Sequence, residues 1–213
     1  MHTIEFFFDV SSPWTYLAFE GIQPLAARDD VTVEWKPILV GGVFNKVNPS
    51  VYENRDKPVP AKARYYQKDL RDWARFAGLE IGQPPVFPVN SVKVMRGAFV
   101  ALEEGKLVPY ARRAFQRYWT ELADISQEDE VRGIAADAGL DADALMEKIA
   151  DPAYKDKLRE TTDELIDKRW RRYAASATTG WYCWRRGSHG IDRDACPRRL
   201  GKRESPVCRL LVA

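Results

Sequence analysis

Phe6-Phe7-Phe8-Asp9-Val10-Ser11-Ser12-Pro13-Trp14-Thr15-Tyr16-Leu17 is the stretch whose reading decides the fold. Ile4 to Phe8 has the length and aromatic content of a buried strand. The apolar run stops at Asp9. A serine followed by Pro13 then reads as N-cap plus first helical residue, where the missing proline N–H costs nothing. Ser11 and Ser12 are both candidates for that cap. Tyr16, Leu17, Phe19, Ile22, Leu25 and Ala26 continue at helical spacing. A serine hydroxyl is thus expected at the start of the first helix, straight after the first strand. Such a position stabilises an anion, because unpaired N–H groups and the positive end of the helix dipole point at it. The plainer alternative is that the serine only caps the helix.

Working outward, Val31-Thr32-Val33-Glu34-Trp35-Lys36-Pro37 alternates as a strand should, and Gly41-Gly42 ends the run. Strand, helix and strand form the βαβ start of a parallel sheet, so residues 1–45 read as an α/β unit. Residues 46–60 are polar, carry Pro49, Pro58 and Pro60, and are predicted to form an active-site loop. Helices follow over residues 61–167. Ala61 to Ala77 is amphipathic and stops at Gly78. Asn90 or Ser91 caps a helix to about Glu104, stapled by Phe87. Pro109 to Leu122 turns Ala114, Phe115, Tyr118 and Trp119 inward. Ser126 to Asp129 resembles a capping box before a helix that stops near Gly139. Asp141 caps a short helix, and Pro152 to about Asp167 forms the last one. Trp35, Trp73 and Trp119 fall on core faces.

The opening segment resembles that of the 2-hydroxychromene-2-carboxylate isomerases and the kappa-class glutathione transferases: aromatic strand, Asp, then Ser-Pro-aromatic-Thr-Tyr-Leu. The similarity continues through Glu53-Asn54-Arg55, Pro60-Ala61-Lys62-Ala63-Arg64-Tyr65-Tyr66 and Phe87-Pro88-Val89-Asn90-Ser91, covering about residues 3–167. The resemblance implies a thioredoxin-like βαβ core with a DsbA-like helical insertion. It implies a glutathione-dependent cis–trans isomerase of 2-hydroxychromene-2-carboxylate or a similar aromatic catabolite, with glutathione transfer to an electrophile as the alternative. Ser12, directly before the proline, would take the place of redox cysteines and hold the glutathione thiolate. Asn54 and Lys62 match positions that contact glutathione or substrate in relatives. For Lys62 the chemistry suits, since glutathione and the chromene acid are both carboxylates; a solvated charge and a turn-forming asparagine are the bland alternatives. Glutathione, a small aromatic carboxylate and a second copy of the chain as a homodimer complete the implied partners.

Composition bounds these readings. With 213 residues, 45% hydrophobic and 30% charged, the chain is an ordinary globular protein large enough for a proper core. The start lacks a basic leader, and no apolar run reaches the length of a membrane span, so the cytoplasm is expected. His2 and His189 lack the companions a metal site needs, and no glycine-rich phosphate loop occurs. Cys183, Cys196 and Cys208 all lie in the last stretch, so no Cys-x-x-Cys dithiol stands near the first helix. A thiol that takes part in the chemistry must therefore arrive with a cofactor.

Residues 168–213 do not fit. They hold twelve Lys/Arg against Asp192, Asp194 and Glu204, a local balance of +9, which leaves −7 for the remainder. Relatives follow the last helix with Gly-Val-Phe-Gly, a cis-proline and a strand, whereas no proline occurs here between Pro152 and Pro197. The richness in Arg, Gly, Trp, Cys, Ser and Ala is what a GC-rich coding strand yields when read out of frame. The tail is therefore read as a frameshifted replacement of the C-terminal thioredoxin half, with doubtful strands and an inactive product as one outcome. One fragment, Gly190-Ile191-Asp192-Arg193, echoes a Gly-x-Asp-Arg step of the family and makes Asp192 a further glutathione-contact candidate. A different reading takes the basic residues with Trp170, Trp181 and Trp184 as a nucleic-acid-binding arm.

Overall fold

The computed structural model describes residues 2–167 and 183–185, with Asn54, Arg55 and Cys183–Arg185 as backbone alone. The expected βαβ unit is present. Strand β1 (His2–Phe8) pairs in parallel with β2 (Val31–Pro37), His2 against Val31 through Phe8 against Pro37, and helix α1 (Pro13–Ala26) makes the crossover. Alternation along β1 sends Phe6 and Phe8 to one face and Phe7 to the other. The first face meets α1 and the later helix that carries Phe115 in an aromatic core. There Phe8 lies 6.3 Å from Phe19, Phe19 5.3 Å from Phe115, and Tyr16 stacks on Phe115 at 4.9 Å between ring centres. The second face is smaller: Phe7 packs with Ile38, Val43, Phe44 and Leu165. Its polar member, the buried Glu5, lies 3.8 Å from Lys36, which also reaches Glu164 at 3.3 Å.

A third strand, β3 (Cys183–Arg185), runs antiparallel to β1 with Ile4 against Arg185 and Phe6 against Cys183, giving the order β2-β1-β3. It lies in the tail whose strands the sequence reading holds doubtful. The rest of residues 168–213 lies outside the described residues, including Asp192 and most of the basic arm.

The predicted loop over 46–60 is also corrected. Helices α2 (Val40–Val47) and α3 (Ser50–Asp56) occupy most of it, despite Gly41-Gly42 and Pro49. Tertiary packing overrides weak local propensity here, because Val43 and Phe44 bury against Leu165. The helical insertion follows the expected order: α4 (Pro60–Ala77), α5 (Val92–Glu103), α6 (Leu107–Phe115), α7 (Glu128–Asp137), α8 (Ala142–Ala150) and α9 (Pro152–Asp167). Gly78 ends α4 in the left-handed region at φ 69°, where glycine carries no side-chain penalty. Asp141 caps α8 by accepting from the Asp143 and Ala144 N–H groups, each at 3.0 Å.

One cap differs from expectation. Ser126 is not an N-cap; Gln127 holds that position without a side-chain bond, and the Ser126 hydroxyl turns back to Asp124 at 2.7 Å. At α5 the expected pair does the capping: Ser91 holds the N-cap position, and the Asn90 side-chain oxygen accepts from the Val92 N–H at 3.2 Å. The segment over the N-terminus of α5 has a cis peptide at Phe87–Pro88.

Candidate active site

Ser12 is the N-cap of α1. Its extended backbone (φ −109°, ψ 122°) aims the hydroxyl back at the helix start, where Oγ accepts from the Thr15 N–H at 3.3 Å. Pro13 and Trp14 behind it are buried, while Ser12 itself is partly exposed. No acidic residue sits within the first turn of α1 itself. A partly exposed hydroxyl at such a terminus can hold a thiolate or another anion by a charge-assisted hydrogen bond.

The structure separates the two serines. Ser11 is drawn inward to Asp9: its N–H donates to Asp9 Oδ1 at 2.9 Å, and its side chain bonds the same carboxyl. Asp9 Oδ2 accepts from the Val40 N–H, the first residue of α2, at 2.8 Å, and the Ser91 side chain, at the start of α5, also bonds the carboxyl. The Ser12 N–H closes the turn on the Asp9 carbonyl at 3.3 Å. Asp9 is 2% exposed, and burial pushes its carboxyl above the usual carboxylate range, against the hydrogen bonds from Ser11, Val40 and Ser91 that pull it down.

Aromatic side chains bracket this turn. On one side the Trp14 indole N–H donates to the Tyr66 hydroxyl of α4 at 3.0 Å, and the two rings meet edge-on at 5.7 Å. On the other, the buried Trp119 donates its indole N–H to the Val10 carbonyl at 2.9 Å, and Phe87 meets Trp119 at 6.0 Å. Tyr66 (43% exposed) and Phe87 (39% exposed) thus stand as accessible rings on either side of residues 10–14.

Of the sequence candidates, Ser12 stands where it was expected. Lys62 is exposed in the first turn of α4, one helical turn before Tyr66 and on the same side of the helix. It has no ion-pair partner among the described residues. Asn54 falls on α3 rather than on a loop, and its side chain lies outside the description, as does all of Asp192. Asp9, Tyr66 and Phe87 were not singled out as functional by sequence. Only Asp9 left a signal, an acid ending an apolar strand. Among the described residues no group of His, Cys, Asp and Glu is arranged to hold a metal ion, and no helix is long and apolar enough to cross a membrane.

Comparison with known proteins agrees with this architecture. A 2-hydroxychromene-2-carboxylate isomerase of Sphingobium xenophagum is 30% identical over 166 residues, covering 78% of this chain and 83% of its own. Human glutathione S-transferase kappa 1 is 28% identical over 176 residues, 76% of this chain and 74% of its own. Among solved structures, a 2-hydroxychromene-2-carboxylate isomerase superposes with a TM-score of 0.67 at 25% identity, over 78% of this chain and 80% of its own. A Streptomyces coelicolor protein described as a probable DsbA oxidoreductase shares the fold with the same score of 0.67 at 19% identity, over 90% and 83% of the two chains. The DSBA-like thioredoxin domain matches residues 3–170, and the chain belongs to that family.

Proposed function

We propose that this protein is a glutathione-dependent isomerase of small aromatic carboxylates of the 2-hydroxychromene-2-carboxylate type. The observation that carries the reading is Ser12: a serine, with no cysteine in residues 1–167, caps the helix that follows the first strand. A dithiol exchange enzyme needs two thiols there; a site that stabilises a borrowed thiolate needs a donor and a positive helix end. Ser12 and α1 supply both, so the residues present fit glutathione. Glutathione, when bound, supplies a thiol that adds reversibly to a conjugated carbonyl compound, so that a double bond becomes a rotatable single bond and the thiol is returned. The chain's own part is to hold the thiolate at Ser12 Oγ. Lys62 pairs with a carboxylate at the rim, and the Tyr66 and Phe87 rings shield the aromatic part of the substrate from water.

Glutathione transfer to an electrophile is the second reading, favoured by the kappa-class relatives. It asks the same of Ser12. Product analysis separates the two, since glutathione is recovered in isomerisation and consumed in transfer. Ser12→Ala tests both. The long 3.3 Å cap bond puts its stability cost near the low end, about 0.5–1 kcal/mol. A hydrogen bond to a charged sulfur is worth about 1.5–3 kcal/mol, so turnover falls roughly 10- to 150-fold. Unchanged turnover in a folded Ser12→Ala protein removes Ser12 from the mechanism.

A further inference from the structure

Three helix starts that are far apart in sequence meet at one carboxyl. Asp9 Oδ1 accepts from Ser11 N–H at 2.9 Å, ahead of α1, and Oδ2 accepts from Val40 N–H at 2.8 Å, the first residue of α2. The Ser91 hydroxyl, at the start of α5, and the Ser11 hydroxyl complete the set. Burying a carboxyl is costly unless its acceptor sites are filled, and here main chain and side chains from three elements fill them. A carboxyl so placed controls two things at the mouth. It closes the Asp9–Ser12 turn together with the 3.3 Å Ser12 N–H bond to the Asp9 carbonyl, and it engages the Ser11 hydroxyl, leaving Ser12's as the one at the helix cap.

We propose that Asp9 is the positioning residue of this site, fixing the Ser12 hydroxyl toward the bound thiol by tying the turn to the starts of α2 and α5. The inference rests on the reading of Ser12 as the group that holds the glutathione sulfur. Asparagine cannot substitute: its amide oxygen accepts from only one side, and its NH2 faces the other N–H donor to donor. If Asp9 acts through Ser12 on the sulfur, losing it weakens ligands that carry a free thiol and spares those that do not.

The test is calorimetric titration of the full-length wild type and Asp9→Asn with reduced glutathione and with S-methylglutathione, with thermal melts to verify folding. The expected result is a loss of about tenfold or more for glutathione and less than about twofold for S-methylglutathione. Equal losses for the two ligands mean general damage and overturn the inference, as does no loss for either. Should Asp9→Asn fail to fold, Ser91→Ala removes one donor and keeps the carboxyl. It is expected to cost about threefold for glutathione alone, judged by the same comparison. A wild type that binds neither ligand overturns the glutathione reading and this inference together. A wild type that binds both, with equal losses in the variant, overturns this inference alone.

Discussion

Gly97 lies in the middle of α5, and a side chain there has nowhere to go. A Cβ built on it falls 2.2 Å from Tyr110 Oη and 2.9 Å from Cζ of the same ring. Ordinary contact begins near 3.4 Å, so the hydroxyl must retreat by about 1.2 Å. Tyr110 is fully buried, and its hydroxyl donates to the Val94 carbonyl at 3.0 Å, a bond that such a retreat breaks. For Gly97→Ala, overpacking costs about 1–3 kcal/mol and a stranded buried hydroxyl about 1–3 more. Replacing a helical glycine returns about 1 kcal/mol. The net is a destabilisation of about 1–5 kcal/mol, a large share of the roughly 5–15 kcal/mol that holds a typical domain together. Urea unfolding followed by tryptophan fluorescence measures it. The control is Tyr110→Phe, which removes Oη and its bond in advance. In that background Gly97→Ala is expected to cost at least about 1 kcal/mol less than in the wild type. If the two changes add within about 0.5 kcal/mol, or if Gly97→Ala alone is neutral, the close approach of α5 and α6 has been misjudged.

Two further outcomes follow from the site. Burial raises the Asp9 carboxyl, so between the ordinary carboxylate range and its folded value the native chain keeps a proton that the unfolded chain has released. That contribution is fully present at the acid end and lost as pH rises through the window. The difference in melting temperature, wild type minus Asp9→Asn, should therefore shrink between acid and neutral pH, and a difference that grows refutes the assignment. Lys62→Ala removes an exposed cation and should leave stability within about 0.5 kcal/mol, while raising the KM for the carboxylate substrate about 1.5- to 5-fold at low salt and less at high salt. A salt-independent KM takes Lys62 out of substrate binding.

The parts of this fold that sequence disclosed are those where local pattern and tertiary context agree. Phe6 to Phe8, the Ser12-Pro13 step, the alternation of residues 31–37 and the Gly78 stop each carry their own physics, and each sits where that physics puts it. What stayed hidden depends on distant partners. Gly41, Gly42 and Pro49 argue locally against helix, yet α2 is held by Leu165 more than a hundred residues away. The bonds of Asp9 to Val40 and Ser91 join positions that no local window contains together. Gln116–Thr120 shows the same limit, since its wider π-helical turn follows α6 without any local marker while Tyr118 and Trp119 bury as expected. Within the candidate site, Ser12 was legible because capping is a nearest-neighbour effect. The rings that flank it were not, because Tyr66 and Phe87 meet Trp14 and Trp119 across dozens of residues of sequence.

The meeting of three helix starts at Asp9 has an evolutionary consequence. The peptide N–H groups that hold the Asp9 turn, and the dipole of the helix that Ser12 caps, belong to the main chain, which no point substitution on the surface can delete. The accessible rings of Tyr66 and Phe87 and the exposed ammonium of Lys62 carry no such burden of upkeep. On the proposed reading, selection can therefore exchange them freely and retune which molecule is accepted, while the helix start behind Ser12 is inherited with the backbone itself.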